Sequence, residues 1–311
     1  MEYEIKLSGT NFDDGSISLD QLELLAQNLK EIARGALYMR LLGTSVRRGR
    51  ETQQLNNALQ IRLKGLSKGS TVLHLECSPF RDTLTNIQGD LFKQEILNRL
   101  PTQTPMALVM ETFNEALNPD GNGEMLDKKL IKDLQGFKKV FLNDAQTLQL
   151  SNRGSMLDIE LHMRDFGRLK QIEDTIPQPQ LVMISGRVEE LKFSKAKVTF
   201  IPDKGRPFTG FLSENVAPAE MAKFWGQKAT IRGTAHFKPN GMMAYVEITK
   251  VSLATETDAY FSRTPRRETA AQQLERQLQE GKGRGNAIKT LIDAFADEIW
   301  ETSLEEDLQM L

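Results

Sequence analysis

The side chains that most often carry chemistry are sparse in this chain. It has three histidines, His74, His162 and His236, and a single cysteine, Cys77. Zinc sites draw on spaced Cys and His clusters, and no two of these histidines stand at an i, i+4 or HxH spacing, so no metal site is expected. One thiol cannot close an internal disulfide, which points to a reducing, cytoplasmic setting. There is no G-x-S-x-G elbow and no serine beside a histidine in a hydrolase signature, so a nucleophile, base and orienting acid would have to come from dispersed positions. The glycine runs GLSKGST and GKGRGNAIK lack the G-x-x-x-x-G-K-[ST] order of a phosphate loop. Asn118, Asp120, Asn122 and Gly123 fill four positions of a calcium loop, but Lys129 stands where the bidentate glutamate belongs. An ordinary Asx/Gly turn is expected instead. The adjacent carboxylates Asp13/Asp14, Glu189/Glu190 and Glu305/Glu306 point apart in any regular element. No catalytic residue, metal or cofactor is therefore expected.

What remains is the distribution of charge. The 311 residues hold 40 Lys+Arg against 42 Asp+Glu, a net charge of -2, which excludes a generally basic nucleic-acid-coating protein. The partition is uneven. Gln180 to Ala254 and Ser262 to Lys289 are locally basic, whereas Ala287 to Leu311 carries Asp293, Asp297, Glu298, Glu301, Glu305, Glu306 and Asp307 against Lys289 alone. No stretch approaches the roughly 20 apolar residues of a bilayer span, and MEYEIKLSG is not a signal peptide, so no membrane association is expected.

The elements that would position these charges follow from periodicity. Tyr3 to Leu7 alternates as a strand. Ser18 with Gln21 forms a capping-box pattern, and Leu22, Leu25, Leu29, Ile32 and Ala36 supply a helical stripe. ALQIRLKG and STVLHLECS flank LSKG as a hairpin. Helical periods follow in DLFKQEILNRL, PMALVMETFNEAL and MLDKKLIKDLQGFKKVFL, then short strands around SNRGS and a helix in RDFGRLKQIED. The fold class is thus α+β. Residues 1–175 form a mixed domain, β-α-β-β and then helices, with helices packed on one face of a small sheet.

TIPQPQ breaks the chain. Beyond it, LVMISGRVEELKF, AKVTFIPD and PFTGFLSE read as three strands, APAEMAKFWG as a helix, and KATIRGTAHF and MMAYVEITKVSL as two more strands. This is the element order of a five-stranded OB-like barrel over 180–254, although element order alone does not fix closure. Residues 262–286 read as a basic polar linker. Residues 287–311 read as a tethered, acidic amphipathic helix whose face carries Ile288, Leu291, Ile292, Phe295 and Ile299, followed by Trp300. Such a stripe must be buried, on its own chain or in the groove of another protein.

The segment AIKTLIDAFADEIWETSLEEDLQML, behind its basic linker, resembles the C-terminal tails of bacterial antitoxins that wrap around PIN-domain ribonuclease toxins. In those tails an apolar helix precedes a tryptophan and an acidic-leucine segment. The resemblance covers about the last twenty-five residues. IKLSG, LQIRLKGLSKGSTVLHL, ISGRV and ATIRGTAHFKPNG resemble bacterial proteins of unassigned function. The tail resemblance implies a toxin groove filled by Ile288, Leu291, Ile292, Phe295 and Trp300, and an Arg284 that reaches toward an acidic, metal-binding active site. The chain is far longer than the small antitoxins and lacks their N-terminal dimer modules, so DNA autorepression is not implied.

The leading expectation is a non-enzymatic, antitoxin-like interaction protein that inhibits a protein partner, a PIN-type ribonuclease toxin, by occlusion. The alternative is a single-stranded nucleic-acid-binding protein acting through the barrel. Lys195, Lys197, Arg206, Arg232 and Lys238 would track phosphates, and Phe193, Phe208 and Phe237 would stack bases. A hydrolase or nuclease with a dispersed carboxylate site in the N-terminal domain is the third reading.

Overall fold

The computed structural model describes residues 1–9, 16–46, 53–67, 71–84, 99–118, 121, 123–152, 158–193 and 196–261. Lys195, most of the helix expected at DLFKQEILNRL, the linker 262–286 and the helix 287–311 lie outside the described residues. Met1–Arg267 clusters as one compact unit. It contains two principal hydrophobic cores, one drawn from Tyr3 to Ile176 and one from Ile184 to Val251.

The first core lies under an antiparallel sheet of order β2-β3-β1-β4-β5. Strand β1 (Glu2–Ser8) is central, because Tyr3, Ile5 and Leu7 alternate inward and are buried. It pairs on one side with β3 (Thr71–Glu76), which forms the expected hairpin with β2 (Arg62–Ser67). On the other side β4 (Thr147–Asn152) joins it and leads to β5 (Ile159–His162).

Helix α1 (Leu19–Leu42) starts at Ser18, whose hydroxyl accepts from the Gln21 amide at 3.2 Å. The reciprocal half of the capping box is not made, because the Gln21 side chain donates to the Val140 carbonyl at 2.9 Å. Leu25, Leu29, Ile32 and Ala36 of its stripe are buried, while Leu22 is half-buried. Gly43, at φ 78°, ends the helix in a left-handed turn.

The short helix α2 (Gln53–Ala58), which periodicity did not predict, precedes β2, and α3 (Phe80–Thr83) is a single turn. Helix α4 (Pro105–Leu117) begins with proline behind Thr104, and α5 (Lys128–Gly136) is capped by Asp127. Helix α6 (Met163–Thr175) opens with a capping box between His162 and Asp165. These helices lie on one face of the sheet. The other face, with Glu2, Glu4, Lys6, His74, Gln149 and Glu160, is polar and open to differing degrees.

The second core fills a closed barrel. Its strands are β6 (Gln180–Lys192), β7 (Lys197–Pro202), β8 (Phe208–Leu212), β9 (Lys228–Phe237) and β10 (Met243–Leu253), with helix α7 (Pro218–Ala222) between β8 and β9. Around the barrel the order is β6-β7-β8-β10-β9, with β8 and β10 parallel and the other pairs antiparallel. Two interior glycines let the strands close. A Cβ on Gly186 would stand 2.1 Å from the Ile201 carbonyl oxygen, and one on Gly233 would stand 2.2 Å from that of Glu247.

Candidate functional site

The outer face of β7 and β8, with the start of β10, does not open to solvent. As α1 ends, Leu42–Val46 lies against it. The Thr209 hydroxyl donates to the Leu42 carbonyl at 3.1 Å, and Val46 packs on Phe211, Ala244 and Tyr245. Phe211 meets Tyr245 edge to face with centroids 5.5 Å apart, and His236 stacks on Tyr245 at 4.4 Å. The β9–β10 hairpin joins the same contact, with Lys238 Nζ donating to the Glu124 carbonyl at 2.5 Å.

The covering segment is itself tied down. The buried Asp127 carboxylate accepts from Thr44 Oγ1 at 3.1 Å, from the Ser45 amide at 2.7 Å, from Ser45 Oγ, and from the Leu130 amide at 2.9 Å. One side chain thus caps α5 and fixes the exit of α1. In the loop read as a failed calcium site, Asp127 has this structural role and Lys129 pairs with Asp133 at 2.6 Å. Among the described residues no group of three or more His, Cys, Asp or Glu is placed to hold a metal ion.

This arrangement separates the basic residues expected to track phosphates. Lys197 is 2% exposed and Lys238 6%, so neither presents its ammonium to a polyanion. Burial alone would raise the Glu190 carboxyl, but Lys192, Thr199 and Lys197 together hold it below the ordinary carboxylate range. Arg206, in the β7–β8 turn, and Arg232, on β9, are exposed. Of the aromatics, Phe208 and Phe237 fill the barrel core, where Phe208 lies 5.5 Å from Phe200, and Phe193 is exposed. Only part of the expected set is left for a surface.

The register adds cations that were not singled out. Lys250 on β10 stands directly opposite Arg232, and Arg187 on β6 directly opposite Lys228, which also pairs with Asp203 at 3.0 Å; all four are exposed. Period-two alternation in these strands is the signal that could have found them.

A second arrangement lies on the open face of the N-terminal sheet. Glu4 stands directly opposite His74 in the β1–β3 ladder. His74 Nδ1 is 3.4 Å from Glu4 Oε1, and Nε2 is 2.6 Å from Ser67 Oγ. Ser67 reaches the ring diagonally across the hairpin, past Gly65, which faces His74 on β2 next to a register shift. A serine, an imidazole and a carboxylate therefore meet where sequence proximity showed no pairing. Hairpin register applied to LKGLSKGSTVLHL could have brought Ser67 and His74 together.

The sole cysteine, Cys77, is buried, and burial pushes its thiol up to about 11. Among the described residues no helix is long and apolar enough to cross a membrane. No family model, curated protein or solved structure matches the chain.

Proposed function

We propose that the chain is an antitoxin-like inhibitor. In this reading the α+β layer and barrel form the carrying body, and residues 287–311 capture a PIN-type ribonuclease. The observation that favours capture over phosphate tracking is the covered barrel face. In OB-type barrels, whose strand order this barrel shares, the face of the second and third strands and the adjoining hairpin loop bind oligonucleotides. Here that face holds Leu42–Val46, and Lys197 and Lys238 are buried.

The capturing chemistry is that of the sequence. Ile288, Leu291, Ile292, Phe295, Ile299 and Trp300 supply apolar anchors for a groove, the acidic residues match a basic rim, and Arg284 reaches the partner's acidic centre. Inhibition is by occlusion. The test pairs the full chain, and a version ending at residue 281, with a PIN-type ribonuclease encoded beside its gene and a fluorogenic RNA. The full chain should co-elute with the nuclease and suppress cleavage, and the truncation should do neither. Equal inhibition by both, or no complex with the full chain, overturns the reading.

The two facing cation pairs favour a second reading, in which single-stranded nucleic acid lies on the outer face of β6, β9 and β10. Binding would then fall with salt at a log–log slope of about -0.7 per phosphate contacted. Arg232→Glu with Lys250→Glu should abolish it. An oligonucleotide shift that is absent at low ionic strength, or unchanged in this double variant, removes this reading.

A further inference from the structure

We propose that Ser67, His74 and Glu4 form a serine-nucleophile centre that accepts acyl groups from small, unhindered esters. The inference does not depend on the capture reading, since it concerns a different surface and different residues. It rests on connectivity as well as proximity. In an acyl-transfer site the nucleophile faces one imidazole nitrogen and the orienting carboxylate faces the other. Here Ser67 Oγ is 2.6 Å from His74 Nε2, and Glu4 Oε1 is 3.4 Å from Nδ1. Nδ1–H directed at Glu4 leaves the Nε2 lone pair to accept the serine proton.

The backbone explains why these three groups meet. Cross-strand pairing sets Glu4 opposite His74, and a ladder of this kind holds the two side chains within reach. On the other side of His74 the facing residue is Gly65, and a Cβ there would meet no atom within 4 Å. That gap beside Gly65 lets Ser67 approach the ring diagonally. The register shift between Leu63 and Gly65 is a further irregularity of the sort that re-aims side chains in a strand. Side chains of His74 and Glu4 are 33% and 31% exposed, so the ring is accessible without being free to turn in bulk water.

Glu4 faces the ring from β1, with Lys6 diagonal to it on the same strand, and the nearby Glu76 of β3 is paired with Lys64 of β2 at 3.2 Å. With the ring and the carboxylate each about a third exposed, the site suits a small acyl group with a good leaving group.

The steps balance without any outside redox partner. Ser67 Oγ bonds to the ester carbonyl carbon while its proton passes to His74 Nε2. The carbon–oxygen bond to the leaving group then breaks, and Nε2 returns the proton to the departing oxygen. Water attacks the acyl-serine, giving a proton to Nε2, and the carboxylic acid leaves as Ser67 regains its hydrogen. Ser67 and His74 are the catalytic residues, and Glu4 is a positioning residue.

The full chain is incubated with diisopropyl fluorophosphate, in which phosphorus–fluorine cleavage replaces ester cleavage, and the adduct is located by peptide mass. A single adduct on Ser67 is expected, absent in Ser67→Ala, together with a stoichiometric burst of nitrophenolate from 4-nitrophenyl acetate. His74→Gln should slow labelling by roughly 100-fold, the lower end of what a positioned base contributes. Glu4→Gln should slow it roughly tenfold with unchanged saturation by the reagent, and Glu4→Asp should recover part of the loss. If His74→Gln does not fold, His74→Asn serves in its place, with thermal midpoints confirming the comparison. No adduct, an adduct on another serine, or labelling of Ser67 at the wild-type rate without His74 overturns the proposal.

Discussion

Replacing Asp127 tests whether one buried carboxylate couples two elements. The side chain is 3% exposed and accepts from two backbone amides, Ser45 and Leu130, and from the hydroxyls of Thr44 and Ser45. In Asp127→Ala the hydroxyls can turn toward other acceptors, but the amides cannot move without disturbing the turn after α1 or the first turn of α5. A buried donor left unsatisfied costs about 1–3 kcal/mol, and loss of an N-cap about 1 kcal/mol. With partial overlap between these, the expected loss is about 3–5 kcal/mol. At about 2–4 °C per kcal/mol for a folded unit of this size, the calorimetric midpoint should fall by about 10 °C. Asp127→Asn keeps one acceptor oxygen and should lose about half as much, whereas Thr44→Val removes a single hydroxyl and should cost about 1 kcal/mol. A midpoint for Asp127→Ala within about 2 °C of the parent would refute the coupling.

Other substitutions probe the barrel and the buried thiol. Gly186→Ala places a methyl 2.1 Å from a backbone oxygen and should cost more than about 3 kcal/mol by denaturant unfolding, unless β6 and β7 separate. Lys197→Glu buries a carboxylate near Glu190 and should lower the thermal midpoint by several degrees, while Arg206→Glu, at an exposed position, should shift it by less than about 1 °C. Cys77 should react with iodoacetamide at pH 8 only after denaturation. Its folded value of about 11 exceeds the ordinary 9.0, so the neutral thiol is the favoured form in the fold. The stability this contributes is fully present below pH 9 and is lost as pH rises through 11, which unfolding of wild type against Cys77→Ala across that window checks.

Much of the architecture was legible because alternation and turn chemistry agreed locally. The barrel strands lie in short segments such as AKVTFIPD and KATIRGTAHF, whose apolar and polar residues alternate strongly enough to be read one strand at a time. What alternation cannot supply is which outer face another part of the chain covers. Lys197 is on the outward side of β7, and a polar outward residue normally means solvent. Lys197 stands opposite Phe211, on which Val46 packs, so its face of the barrel is covered by residues more than 150 positions away, held there by Thr209 and Asp127. The same distance problem hid the Ser67, His74 and Glu4 cluster, since Glu4 reaches His74 only through a ladder between the first and third strands. Helix α2 was missed for a different reason. Its six residues, QQLNNA, are polar enough to read as connection, and only Ala58 is buried.

The central position of β1 also bears on how the chain is made. Leu7 leaves the ribosome early, but its β4 neighbour is Leu148. At about 5–20 residues per second, one edge of the first strand waits roughly 7–30 s for that neighbour, even after the β2–β3 hairpin has closed the other side. Throughout that interval the nascent sheet presents an unpaired rim carrying Tyr3, Ile5 and Leu7 on its apolar side. A chaperone that shields extended apolar segments, or a slow stretch of translation after residue 152, would therefore act on the yield of native protein with no change to the finished molecule.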